Sequence, residues 1–345
     1  MSERALPDDA TSRGAWRTYR LFGLVLASDF PFASRLPAGA GPPDVTFTCA
    51  GPPPIPDELP APVFASRFRT ARGESNCSFY RLAESDLLRF PGVGDFYLGA
   101  DRIVCQPADP EDVGAVEVHL LGTVLSCWLE RAGVPSLHAS AVVADGGRTV
   151  GFLSPNGGGK SSLAAALMEG GWPLLTDDVL AVEAGPDGFR GRRGYPQMRL
   201  WPAEAERFCG PAASLPRVHR DCSKLRVPVG GGGFGAFAAA ERPLSSFYLP
   251  ERRPGGGGAG AVAVEALAPR AAMIELVRHS FVGALVEAAG WQPRRFDILA
   301  RLAVAVPVKR LTYPSGHEHL PRVREAIVAD LKRPRHARRK GIPQA

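Results

Sequence analysis

The chain has 345 residues, of which 45% are hydrophobic and 22% charged, so it can bury one large core or two smaller ones and is not a disordered chain. Its formal charge is +6, but KRPRHARRK at 332–340 alone holds six Lys or Arg and no acid, which leaves the remainder near neutral and gives no reason to expect nucleic acid as a partner. The six cysteines show neither Cys-x-x-Cys nor zinc-like spacing, and no uninterrupted apolar run approaches the length of a membrane span.

Residues 1–14 are polar, unlike a signal peptide, and are expected to be disordered; the protein is expected to be cytoplasmic. From 15 to 110 short apolar runs alternate with turn residues: Tyr19 to Leu26, Val45 to Thr48, Phe79 to Leu82 and Arg102 to Cys105. Pro-rich breaks at 39–44 and 51–62 separate them, so this part reads as a small β-rich domain without a catalytic cluster. A second domain is expected over 111–331, followed by a basic tail, 332–345, that reads as solvated. It opens at 115–131, where Val116, Leu120, Val124, Cys127 and Trp128 share one helical face.

Leu137 to Ala144 reads as a strand, Asp145-Gly146-Gly147 as a hairpin turn and Arg148 to Leu153 as the return strand. Next comes Ser154-Pro-Asn-Gly-Gly-Gly-Lys-Ser-Ser162, then a helix from Ser161 to Glu169 ended by Gly170-Gly171. Leu174 to Thr176 is a short strand running into Asp177-Asp178, and Val179 to Glu183 continues it. Beyond lie short strands within Phe189 to Leu200, helix Ala203 to Phe208, glycine linkers at 230–233 and 255–258, and strand Leu244 to Leu249. A long helix Ala271 to Ala289, a helix Arg294 to Ala303, a strand Val306 to Tyr313 and a closing helix Leu320 to Leu331 complete the reading.

The glycine stretch follows the spacing of a phosphate-binding loop, with Ser154 where the first Gly usually stands. Such a loop works because backbone N–H groups and a helix N-terminus converge on phosphate oxygens. Asn156, Gly157, Gly158, Gly159, Lys160, Ser161 and Ser162 are therefore the expected nucleotide-binding residues. Lys160 would reach the β- and γ-phosphates, and the Ser161 hydroxyl would hold Mg²⁺. Ser154 should turn the chain without touching phosphate. Of Asp177 and Asp178, one can bind Mg²⁺ and the other can take a proton from an incoming hydroxyl. Hairpin pairing brings His138 toward the γ-phosphate position.

A His on a strand, a hairpin, this loop, a helix ending in Gly and a short strand running into Asp-Asp resemble, in that order, the kinase domain of HPr kinase/phosphorylase. The match covers about residues 137–183. The layout of the whole chain looks more like the HPr-kinase-related proteins of peptide-modification systems, including kinases of lasso precursor peptides. The resemblance implies an α/β fold (α+β overall) in which the P-loop kinase domain is similar to HPr kinase and phosphoenolpyruvate carboxykinase. It implies a Ser-directed phosphotransferase using ATP and Mg²⁺, with Lys160 on the phosphates, Ser161 on Mg²⁺, Asp178 as base and His138 in a supporting catalytic role; of the carboxylate pair, Asp177 is then the expected metal ligand. Where that family carries a loop serving HPr, this chain has Tyr195-Pro-Gln-Met-Arg-Leu-Trp-Pro202, so whether HPr is a substrate stays open. A third metal carboxylate stays open between Glu204 and Glu206. The preferred reading is a kinase acting on a Ser or Thr hydroxyl of a peptide or protein, with no membrane partner and a homo-oligomer left open. The alternatives are a nucleotide-binding module without transfer activity and a small-molecule kinase.

Overall fold

The computed structural model describes residues 15–49, 58–211, 214–220, 222–253 and 261–333. The segments read as disordered at 1–14, as a linker at 255–258 and as basic tail from 334 onward lie outside these residues, as does the Pro-rich stretch 51–57. The fold is mixed α/β and rich in strands. The run read as one strand, Tyr19 to Leu26, is instead a hairpin of β1 (Arg17–Leu21) and β2 (Leu24–Ser28). Phe22 and Gly23 turn the chain at φ of 51° and 74°. With β3 (Val45–Cys49), β4 (Phe64–Ala65), β5 (Ser78–Arg81), β6 (Asp86–Phe90), β7 (Gly94–Leu98) and β8 (Arg102–Pro107) they make an eight-stranded sheet. Its order is β1-β2-β3-β8-β7-β6-β5-β4.

One face of this sheet is closed by α1 (Val113–His119) and α2 (Leu125–Arg131), joined without a break by a π-helical turn at Leu120–Val124. The Asp112 carboxylate accepts the Ala115 N–H at the start, which satisfies one of the donors a helix N-terminus leaves open. By length and composition Val113–Arg131 is apolar enough to cross a bilayer, yet it is mostly buried as a core element. Leu120, Leu121, Val124 and Leu125 pack there with Phe47, Phe96 and Leu98 of the sheet. The same core takes in Val179, Ala181, Tyr195, Val282 and Leu285 from later in the chain.

The second sheet is built from β9 (Ser136–Ala144), β10 (Arg148–Leu153), β11 (Leu174–Thr176), β12 (Val179–Gly185) and β13 (Gly188–Gly191), with β16, β17 and β18 from further along. Helix α3 (Lys160–Glu169) lies between β10 and β11. A separate ribbon joins β14 (Gln197–Leu200) to β15 (Leu225–Pro228), with α4 (Pro202–Cys209) between them. The long β16 (Arg242–Arg253) pairs with β13 and, in parallel, with β10, so five strands close on themselves. Strand β17 (Ala263–Ala266) pairs with β18 (Val308–Pro314), and β18 runs parallel to β16. Alternation along β9 sorts its side chains. Leu137, Ala139, Ala141 and Val143 join one core with Leu276 of α5 (Pro269–Arg278) and Leu299 of α7 (Gln292–Ala305). Val142 and Ala144 join another with α3 and α8 (Leu320–Lys332). His138 and Ser140 share the parity of this second set, which aims them at the α3 side.

Two sequence expectations are corrected here. Gly230–Gly233 is an ordered turn in which Gly233 donates to the Gly230 carbonyl at 3.0 Å and Val229 bridges Phe234. The helix expected over 271–289 breaks into α5 and α6 (Gly283–Ala288). At the break the His279 carbonyl accepts the His138 N–H (2.7 Å) and the Phe281 N–H donates to Ser136 (2.9 Å), so strand pairing to β9 outcompetes helix continuation. Helix α8 is tied to the sheet at Asp330, which accepts from the Tyr248 hydroxyl and the Lys309 ammonium. Tyr248→Phe should cost about 2 kcal/mol, the scale of a lost hydrogen bond to a charged group. A denaturant midpoint unchanged from wild type would show that the tie carries no stability.

Candidate functional site

The glycine stretch leaves β10 at Leu153 and enters α3 at Lys160. Gly157 and Gly159 stand at φ of 77° and 97°, left-handed values that favour glycine. Gly158 is required for a different reason: a Cβ there would lie 2.5 Å from Ser154 Oγ. Ser154 is buried, and its carbonyl accepts the Lys160 ammonium at 2.8 Å, with the Pro155 carbonyl at 3.3 Å. Burial pushes the Lys160 ammonium below its usual pKa, while Asp178 and Asp177 pull it back up. Because the contact to Lys160 is a backbone one, Ser154→Gly should leave nucleotide affinity within a few-fold of wild type. Gly158→Ala should be harmful alone and partly relieved by Ser154→Gly, since the Pro155 carbonyl would still lie 3.1 Å from the added Cβ. Equal damage from Gly158→Ala in both backgrounds, read by calorimetry, would rule this packing account out.

The carboxylate pair follows β11. Asp177 is buried and held by three donors: Ser140 Oγ at 2.5 Å, Ser161 Oγ at 2.9 Å and the Arg199 N–H at 2.9 Å. Asp178 sits at φ 73°, a left-handed value for a non-glycine residue, which turns its side chain away from the Asp177 shell and into the cleft. His138 Nε2 lies 3.1 Å from its Oδ1, and Arg199 Nη1 donates to its Oδ2 at 3.2 Å. Burial alone would raise the Asp178 pKa. The His138 hydrogen bond and the Arg199 charge outweigh it and hold the carboxyl well below the usual range. A carboxylate in that state only accepts, so the His138 nitrogen facing it carries a proton.

Arg199 and Tyr195 are the residues the sequence reading did not assign. Arg199 Nη2 donates to the Tyr195 hydroxyl at 2.9 Å, and the Tyr195 ring meets Phe22 of the first hairpin edge-on at 6.3 Å. Along β14, Met198 and Leu200 enter the α3 core while Arg199 faces the opposite way, toward Asp178. The available signal was this alternation: one Arg between two apolar residues of a short strand.

Asn156, Gly157, Gly159, Lys160, Ser161, Ser162 and Asp178 line one cleft of about 140 Å³, together with Arg199, Trp201, Glu204, Lys224 and Arg252. Gly158, Asp177 and His138 stand behind its wall: Gly158 against Ser154, Asp177 against Ser161, and His138 against Asp178. Glu204 is in the cleft and bonds His317 at 2.8 Å; Glu206 is exposed on α4 and takes no part in it. Among the described residues no three His, Cys, Asp or Glu converge on one metal position, so neither glutamate completes a three-carboxylate centre. Ser161 Oγ, Asp177 and Asp178 nevertheless offer only oxygen donors, the ligand type Mg²⁺ takes when phosphates and water supply the rest.

No family model matches the chain, and no curated protein matches it. A solved structure does. The Hpr(Ser) kinase/phosphatase from Coxiella burnetii aligns with 56% of this chain and 95% of that one, at 14% identity and a TM-score of 0.27. That likeness is distant and decides neither the fold nor the chemistry of this chain.

Proposed function

We propose that the protein is a kinase that uses ATP and Mg²⁺ to phosphorylate a Ser or Thr hydroxyl of a peptide or protein. One observation supports this above the others. The glycine loop with Lys160 and Ser161 opens into the same cleft as Asp178, an ionised carboxylate gripped from both sides by His138 and Arg199. Backbone N–H groups of the loop and the N-terminus of α3 would bind the phosphates. Lys160 would leave its contacts with Ser154 and Pro155 for the β- and γ-phosphate oxygens. Mg²⁺ held by Ser161 and Asp177 would supply charge neutralisation on the same oxygens. The acceptor oxygen attacks the γ-phosphorus, the bond to the β,γ-bridging oxygen breaks, ADP leaves, and the acceptor proton passes to Asp178. His138 and Arg199 fix that carboxylate, and Arg199 compensates the negative charge that gathers around it.

The proposal is of a cytoplasmic protein acting on polypeptide, without membrane or nucleic acid as partner. A second reading is a nucleotide-binding module without transfer activity. It is favoured by one observation: the His138 and Arg199 contacts make Asp178 a weak base. The test is incubation of the purified protein with γ-labelled ATP and Mg²⁺ against Ser- and Thr-containing peptide pools and a panel of small alcohols. Label on a peptide hydroxyl supports the kinase, and label only on small alcohols makes it a small-molecule kinase. Tight binding of Mg-ATP with label on no acceptor selects the binding module.

A further inference from the structure

A cavity larger than the glycine-loop cleft lies outside it. It measures about 700 Å³, within the usual size of a ligand site. One wall is the edge of the first sheet, Phe64 to Phe68, and the other is the break between α5 and α6, Val277 to Leu285. Arg295 of α7 forms part of this wall although its side chain is only 3% exposed. Its Nε donates to both oxygens of Glu130, at 3.0 and 2.9 Å, and Glu130 also accepts the Ser136 N–H at 2.8 Å. Neither Nη1 nor Nη2 has a hydrogen-bond partner among the described residues. An arginine normally presents these two nitrogens as a fork to an oxyanion, and leaving such donors unmatched in a buried place is costly. The rim adds an aromatic surface, Phe68, 63% exposed, with the Arg67 guanidinium 5.2 Å from its ring centre. Arg67 has no carboxylate partner among the described residues. A single aromatic side chain separates this cavity from the residues around Asp178. Phe281 lines it, and the same ring stands edge-on to His138 at 5.6 Å.

The geometry points to this cavity as the acceptor subsite, taking a peptide segment that carries a carboxylate for Arg295 and an apolar residue for the Phe68 rim, with its hydroxyl led past Phe281 to His138 and Asp178. The assignment rests on the kinase reading for the fate of the hydroxyl, but the cavity and its unmatched guanidinium stand without it. It also gives the helix break a purpose: an unbroken helix over 271–289 would supply neither Phe281 nor the cavity wall.

The experiment uses the full chain and fluorescein-tagged short peptide pools with a central Ser, an amidated end and one flanking position fixed as Asp or as Asn. A further Asn pool with a free terminal carboxylate separates a side-chain acid from a chain end. Anisotropy is read without nucleotide. At least one carboxylate pool should bind about tenfold or more tightly than its neutral counterpart. Arg295→Lys keeps a cation for Glu130 but removes both free nitrogens, and should erase that discrimination. Since Arg295 is buried, its melting is compared with wild type. Phe68→Ala, at an exposed position, gives an arm that does not depend on the core and should weaken all pools severalfold. The proposal is overturned if carboxylate and neutral pools bind alike, if a folded Arg295→Lys discriminates as wild type does, or if Phe68→Ala binds every pool unchanged. The same pools are then offered with labelled ATP. Carboxylate-selective binding without any transfer retains the subsite and sinks the kinase; transfer with no carboxylate preference does the reverse.

Discussion

Asp178→Asn should slow phosphoryl transfer by about 10²–10⁴-fold, the usual contribution of a positioned base, while Mg-ATP affinity stays near wild type. Asn suits the position unusually well. Asp178 has φ 73°, and Asn is among the few residues that tolerate the left-handed region. The amide oxygen can still accept from Arg199 or from His138, so the shape is kept while the ability to take a proton is lost; because the charge facing Arg199 is lost too, the variant should melt lower, and transfer is measured well below its melting temperature. Asp177→Asn should behave differently. Asp177 is locked among Ser140, Ser161 and the Arg199 N–H, with its Oδ1 beside the Ser161 hydroxyl. Its loss should raise the Mg²⁺ concentration needed for transfer and be offset by excess Mg²⁺. Single-turnover transfer at several Mg²⁺ concentrations separates the two. If both variants turn over like wild type, the carboxylate pair is not catalytic.

Arg199→Gln is the second large expectation. Arg199 is nearly buried and partners Asp178, Tyr195 and, through its backbone, Asp177. Breaking a buried charge pair by removing one partner should cost about 3 kcal/mol or more at neutral pH. The sign with pH follows from the Asp178 carboxyl, which burial pushes up and which His138 and Arg199 together pull below its ordinary value. A lowered folded pKa contributes stability that is present above the unfolded carboxylate pKa, about 4, and is lost as pH falls toward the folded value. The variant should therefore melt well below wild type at neutral pH, and the gap should narrow on acidification below about pH 4. For the same reason the acidic limb of the pH–rate profile should move to higher pH in the variant, because the carboxylate protonates sooner without its cation. A limb that stays in place would mean that Asp178 does not set it. Arg199→Lys should restore part of the shift but not the fork to Tyr195.

What the sequence disclosed was local. The order from His138 through the hairpin to Lys160 and Asp177-Asp178 is a run of neighbours in the chain. Turn chemistry, helix capping and strand alternation act over such distances, and the elements appear where those signals place them. The residues it did not disclose act across the fold. Arg199 reaches Asp178 from a ribbon 21 residues on, and its role depends on which way a four-residue strand faces. The hairpin at Phe22-Gly23 was hidden because apolar residues on both sides of the turn read as one run. The break at His279–Val282 was hidden because its helical pattern is intact; the strand edge of β9 that captures it lies more than a hundred residues earlier. Glu204 and Glu206 look equivalent in sequence, and only the facing of α4 separates the one in the cleft from the one in solvent.

The shared core between the first sheet and the elements around the site has a consequence for how the chain can be divided. Phe47, Phe96 and Leu98 pack in one cluster with Leu121 and Leu125 and with Val179, Ala181 and Tyr195, and the first of that last group directly follows Asp178. The connection between the two halves, Ala108 to Glu111, runs over the surface. A protease that cuts there would sever the chain but not the particle: the two fragments should elute together from a sizing column and come apart only in denaturant. Expressed separately, a fragment starting at residue 111 would leave the apolar face of Val113–Arg131 bare to solvent, and it should be recovered from the insoluble fraction until the other fragment is supplied.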